Sequence, residues 1–213
     1  MSSPRILIYL LRRDLRFADN PIFNDIAKSL QQSHRPYTHL LPIYVFPAQQ
    51  LEVSGFLSSP SESSPFPEAR SQVGRFWRCG VHRAKFVAES VWDLKTTLEG
   101  VGTGLVVRVG MIGQVLSEIL DAYTKGVSDE KAVVVSVWMT SEEGQEEQKE
   151  EREVRQVVER AGKEFKLWQD EKYFIDEYVH FFVCLSALLM SVQPGCTLEN
   201  SLRPARPVYQ LPK

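Results

Sequence analysis

Two hydrophobic patterns take turns along the chain. Short runs of nearly continuous apolar residues fall at 5–11 (RILIYLL), 39–46 (HLLPIYVF), 104–110 (GLVVRVG), 131–139 (KAVVVSVWM) and 164–170 (EFKLWQD). Their length and β-branched content suit strands covered on both faces. Pro42 weakens the start of the second run, because proline gives a sheet no N–H. Between the runs, apolar residues recur at helical spacing. Residues 21–33 place Ile22, Phe23, Ile26 and Leu30 on one stripe, and Asn20-Pro21 reads as a helix cap followed by the first helical position. Residues 82–99 place Phe86 or Val87, Ala88, Val91, Leu94 and Leu98 on one stripe, and residues 111–123 predict a third helix. Residues 141–162 predict a long charged helix. Carboxylates crowd its first turns, where the helix dipole favours them, and Val154, Val157, Val158 and Ala161 offer an apolar face only near its end.

The predicted order is β-α-β-insertion-α-β-α-β-α-β. It implies an α/β fold with a doubly wound, five-stranded, mainly parallel Rossmann-like sheet and helices on both faces. Such sheets bind ligands beyond the carboxyl ends of their strands. Residues 1–176 are expected to form this domain. Within it, residues 54–75 are rich in serine and proline and are expected to be a flexible surface insertion. Residues 177–213 form an irregular C-terminal extension with an apolar segment at 178–192. That segment falls short of the roughly 20 residues a bilayer span needs, so no membrane association is expected. It suits either one more packed helix or an apolar stretch left uncovered.

Composition narrows the functional classes. A net charge of −2 over 213 residues gives no broad nucleic-acid footprint. Cys79, Cys184 and Cys196 form no CxxC pair, which fits a soluble protein in a reducing intracellular compartment. The N-terminal apolar run is short for a secretion signal and reads as a first strand. No GxGxxG follows that strand, and there is no GxxxxGK[ST] loop, HExxH or GxSxG. The four histidines show no metal-ligand spacing, so no metal site is expected.

Three constellations remain. The first strand leaves through LLRRDLRFADNP, which carries Arg12, Arg13, Asp14, Arg16, Asp19 and Asn20. Its arginines suit either internal pairing with the aspartates or docking of something outside the domain. The fourth strand leaves through VWMTSEEG, with Trp138, Thr140, Glu142 and Glu143. A carboxylate there can accept hydrogen bonds from the N–H edge of a flat heteroaromatic ring, or simply begin a charged helix. The third, FWRCGVHRAKF at 76–86, leads into the second helix and suits ordinary loop packing or ligand contact.

Together, LLRRDLRFADNP, RCGVHRAKFVAESVWDLKTTL, VWMTSEEGQEEQKEEREV and FKLWQDEKYFID resemble the amino-terminal α/β domain of the photolyase/cryptochrome family, in its DASH-type cryptochrome branch. The resemblance covers about residues 5 to 176. It implies an antenna domain that carries a chromophore, usually 5,10-methenyltetrahydrofolate. In the family a larger helical domain holds FAD, the DNA-binding surface and the lesion pocket. Carried over by position, Glu142 and Glu143 match the acidic segment that meets the pterin, with Trp138 and Thr140 beside it. Arg12, Asp14, Arg16, Asp19 and Asn20 match a structural and interdomain signature, and no residue is expected to be catalytic.

The resemblance ends before EYVHFFVCLSALLMSVQPGC. The chain is therefore expected to be a shortened product or a gene-model artefact. FAD binding, DNA binding and photorepair are not expected of it alone, and folate binding is expected to be weak. The competing readings are a generic Rossmann-like nucleotide-binding domain and a non-binding fragment.

Overall fold

The computed structural model describes residues 3–29, 36–53, 59, 62–125 and 132–169, all within one compact unit. Five strands and four helices alternate: β1 (Arg5–Leu11), α1 (Pro21–Ser29), β2 (His39–Pro47), α2 (Val81–Gly100), β3 (Val106–Gly110), α3 (Ile112–Lys125), β4 (Val133–Thr140), α4 (Gln145–Arg160) and β5 (Glu164–Trp168). The strand order is β3-β2-β1-β4-β5 and every neighbouring pair is parallel. This is the doubly wound α/β sheet that the alternation of patterns predicts, with β1 at its centre.

Central position explains the composition of β1. Leu7 to Leu10 are wholly buried, because one set of alternating side chains meets each layer of helices. Ile6, Ile8, Leu10, Ile43, Val45, Val137 and Met139 pack under α3 and α4, against Leu116, Val154 and Val158. Leu7, Tyr9, Leu11, Tyr44 and Trp138 pack under α1 and α2, against Ile22, Ile26, Val91, Leu94 and Leu98. The register of β1 on β4 shifts between Ile6 and Leu7, where Ile6 faces Val134 and Leu7 faces Ser136. Val135 is the extra residue of a bulge.

Several details differ from the sequence expectation. The α2 stripe is narrower: Val91, Leu94 and Leu98 are buried, Val87 is half-buried, and Phe86 and Ala88 face outward. At Ala161, α4 has already ended and the residue is exposed. The helix begins at Gln145, so Glu142 and Glu143 precede it, and its first turn holds Glu146 and Glu147. Leu30, the insertion residues 54–58, 60 and 61, and the extension from 177 onward lie outside the described residues. In the rest of the Ser/Pro-rich stretch, Ala69 is buried and Arg70 forms an antiparallel bridge with Trp77. The Arg70 guanidinium lies 3.7 Å from the centre of the Trp77 ring. Gly74 adopts φ +75° and Arg75 φ +54°, closing a turn in which the Ser71 N–H donates to the Phe76 carbonyl.

Candidate functional site

The two inner strands of the switch, β1 and β4, diverge in their connections at the carboxyl edge. The β1 exit turns toward α1 and the β4 exit turns toward α4, which cover opposite faces. All the sequence candidates lie on this edge, and they separate into a corner, a cavity and an acidic strand exit.

The corner is internally satisfied. Asn20 is wholly buried; its Oδ1 accepts from the N–H groups of Ile22 and Phe23 at 3.0 and 3.1 Å, capping α1. Its Nδ2 donates to the Tyr9 hydroxyl at 3.0 Å, which ties the cap to the central strand. Arg16 makes a two-pronged pair with Asp14, with Nε and Nη2 each 2.8 Å from a carboxylate oxygen, and also reaches Asp19 at 3.1 Å. Three charged groups and one amide thus fix the path from β1 into α1. Of the two sequence readings of this loop, internal pairing is what the geometry shows for Asp14, Arg16, Asp19 and Asn20.

Arg12 and Arg13 do something else. They wall a cavity of about 580 Å³ beyond the carboxyl ends of β1 and β2. Its other walls come from the β2–α2 connection and α2, through Arg78, Cys79, Arg83 and Phe86, and from the first turns of α4, through Glu146, Glu147 and Glu150. Leu11, Val45 and Ile112 contribute apolar floor. Arg12 Nη2 donates to the Glu147 carbonyl and to Glu150, each at 3.1 Å. Arg13 pairs with Glu147, and Arg78 pairs with Glu146 at 2.8 Å. Arg12 is buried and its partner Glu150 largely so, their side chains 5% and 12% exposed, and Arg12 Nη1 has no hydrogen-bond partner among the described residues. Burial raises the Glu150 carboxyl above its ordinary range, and the Arg12 charge opposes that rise. Burial pushes the Tyr44 hydroxyl up to about 12, with Arg83 opposing, so it stays protonated at neutral pH.

The acidic exit of β4 lies apart from the residues lining this cavity. Trp138 and Thr140 are buried, Glu142 is half-buried and Glu143 is exposed. Trp138 packs edge-on against Tyr37 at 5.8 Å and tilted against Trp168 at 5.4 Å. Lys166 Nζ sits 4.5 Å from the Trp138 ring centre and 3.7 Å from that of Trp168. Among the described residues neither buried indole N–H group has an acceptor. The Ser141 N–H donates to the Trp168 carbonyl at 2.7 Å, which holds the strand exit beside β5.

Glu147 and Glu150 escape sequence reasoning. Glutamates in a first helical turn read as solvated, and only their spacing of three residues on one face hints at a shared partner. Among the described residues no group of His, Cys, Asp and Glu is placed to hold a metal. Nor is any described helix long and apolar enough to cross a membrane.

A parallel sheet of this strand order, with a cavity beyond the carboxyl ends of its inner strands, defines an open doubly wound α/β domain. Comparison with known proteins specifies which one. The chain belongs to the DNA photolyase family, whose model matches residues 7–175. A Gibberella zeae protein that carries the provisional name cryptochrome DASH is 46% identical over 177 residues, 83% of this chain and 24% of that protein. The chain thus spans about a quarter of the length of the curated relatives it matches. A cryptochrome from Synechocystis sp. PCC6803 shares the fold with a TM-score of 0.59 at 21% identity, covering 79% of this chain and 28% of that one. An archaeal photolyase from Sulfolobus tokodaii, solved with two FAD molecules, shares it at 0.51 and 18%, covering 85% and 35%.

Proposed function

We propose that this domain is the antenna-binding part of a DASH-type cryptochrome or photolyase and that it takes a reduced folate, 5,10-methenyltetrahydrofolate, at the acidic exit of β4. The observation that carries the reading is the position of Glu142 and Glu143. They leave β4 beside the switch point of a sheet whose family is shown, on a shelf of buried Trp138 and Thr140. A carboxylate accepts two hydrogen bonds from the amino and ring N–H groups of a pterin edge, and of the two Glu143 is exposed and Glu142 half-buried. The bound pterin would supply near-ultraviolet absorption. The chain's residues orient it and exclude water from one side.

Under this reading FAD, DNA contact and lesion recognition belong to the helical domain that the family resemblance implies. The corner built by Arg12, Asp14, Arg16, Asp19 and Asn20 is scaffold and, in the longer relatives, a surface toward that domain. Photorepair is not a property of this unit alone.

The test is retention of chromophore. The purified chain is mixed with methenyltetrahydrofolate, or separately with FAD, and passed over a desalting column. Near-ultraviolet absorbance should co-elute with protein for the folate and disappear in Glu142→Gln. Folate retained equally by Glu142→Gln would remove the acidic exit from the reading. Flavin retained in its place would transfer FAD binding to this domain.

A further inference from the structure

We propose that the turn at 70–77, with the exposed first residues of α2 that follow it, is a docking surface for an acidic segment of another protein, one that carries bulky apolar side chains between its carboxylates. None of the residues involved lies at the β4 exit, so the surface is independent of the folate reading.

Exposed apolar residues gather here. Among the described residues nine large hydrophobic side chains are exposed, and five of them fall between positions 73 and 86: Val73, Phe76, Trp77, Val81 and Phe86. Single exposed apolar residues are ordinary on a protein surface, but a cluster of them rimmed by charge marks an interaction site. The rim is basic. Residues 68–86 hold Arg70, Arg75, Arg78, Arg83 and Lys85 against Glu68 alone, in a chain whose net charge is −2. Glu68 is shared, 2.8 Å from Arg70 and 3.4 Å from Arg75, so one carboxylate serves two guanidiniums. A partner with carboxylates supplies the charge that is short.

The turn is held in shape by its own bonds. Ala69 at its base is buried. The Ser71 N–H donates to the Phe76 carbonyl at 2.8 Å, and the Arg78 N–H donates to the Ala69 carbonyl at 2.9 Å. Arg70 crosses the turn: its guanidinium lies on the Trp77 ring, and its Nη1 donates to the Arg75 carbonyl at 2.9 Å. At the tip, Arg75 is the one non-glycine residue with a positive φ among the described residues. That conformation costs about 1 kcal/mol or more and persists only where its surroundings fix it. The Phe76 ring lies against Gly74, where any Cβ would collide with it, yet the side chain stays 75% exposed. A strained turn that fixes apolar side chains outward has little freedom left to lose on binding.

Two other kinds of partner fit less well. Val73 and Val81 are aliphatic and suit leucine or phenylalanine side chains better than stacked bases. Arg75 lies between Val73 and Phe76, so its charge would enter a bilayer with them.

The whole chain is titrated by fluorescence anisotropy with a short labelled peptide that alternates glutamate with leucine and phenylalanine. Polyglutamate, oligothymidylate and phosphatidylserine vesicles are run beside it. The alternating peptide should bind about tenfold or more tighter than polyglutamate, and raised salt should weaken it. Phe76→Ala and Arg75→Glu should each weaken it about tenfold with the melting temperature unchanged. Trp92→Ala, exposed further along α2, should bind it as the parent chain does. No binding of the alternating peptide would overturn the proposal, as would undiminished binding in Phe76→Ala or Arg75→Glu. Tighter binding of oligothymidylate, or vesicle binding that is lost in Phe76→Ala, would overturn it too, by giving the surface to a nucleic acid or a membrane.

Discussion

Two helices begin at the same cavity with a glycine in the cap position, and they solve the same problem in opposite ways. The α4 start fills its own dipole. Glu146 and Glu147 sit in the first turn, Glu147 is buried and folds back over Gly144, and three arginines from elsewhere in the chain neutralise the cluster. The α2 start has no cap, no acid and an arginine. Its first residues, Val81 to Arg83, are exposed, so the uncapped N–H groups are left to water. The contrast teaches that one helix start is a joint closed by side chains of the same chain, whereas the other has no side-chain cap.

Substitutions that treat the two ends alike should therefore separate them. The largest effect is expected for Arg12→Ala, which strands the buried Glu150 and the Glu147 carbonyl; it should cost about 3 kcal/mol in urea unfolding. Arg83→Ala, at the open end, should stay within about 0.5 kcal/mol of the parent chain. Equal losses would erase the distinction between joint and open end. The capped helix α1 calibrates the scale: Asn20→Ala removes two cap bonds and the tie to Tyr9, and should cost about 2 kcal/mol.

The glycines give a finer contrast. A Cβ on Gly144 would collide with the Glu147 carboxylate, so Gly144→Ala should lose about 1 kcal/mol by thermal unfolding as that carboxylate is displaced from Arg13. Among the described residues, nothing lies within 4 Å of a Cβ on Gly80. There Gly80→Asp should gain about 0.5–1 kcal/mol, by capping α2 and facing Arg83. A gain at Gly144, or a loss at Gly80, would break the comparison.

The smallest effect is a slope with pH. The Glu150 carboxyl is held above the ordinary 4.5 by burial, so the folded chain binds that proton more tightly than the unfolded chain. The stability it contributes is complete below pH 4.5 and is lost as pH rises through the raised value. Urea midpoints should show a shallow decline across that interval, absent in Glu150→Gln. A decline that survives in Glu150→Gln would assign it to another group.

Much of this architecture was readable beforehand, and for a definite reason. A strand covered on both faces must be apolar at nearly every position, so the runs at Ile6–Leu11 and Val134–Met139 announced themselves. Asn20 was readable because a cap needs a side-chain oxygen at one position only. Ala88 was misplaced, and of the alternatives Phe86 and Val87 the structure takes Val87, because periodicity shows an apolar stripe but not its width, and α2 covers the sheet with only three fully buried residues. The acidic joint was unreadable. The burial of Glu147 depends on Arg12 and Arg13 at the exit of β1, more than 130 residues earlier in the chain, and helical position alone makes it look solvated. Arg78 and Arg83 were visible as part of a charged and aromatic stretch, but the walls they face come from β1 and α4, which only the folded chain brings near.

The bulged centre of the sheet also sets an order of events in time. Ile8 meets Leu41 on one side early in the chain and Val137 on the other only when β4 exists. During synthesis the most apolar strand of the domain can be paired with β2 while its second edge waits for nearly the whole unit to emerge. Such an edge invites pairing with a neighbouring chain. Nascent chains halted before Val133 should be cut readily by protease and captured by holding chaperones, whereas chains carried beyond Trp168 should resist both. Early protection before β4 has emerged would show that the β3-β2-β1 half folds without it.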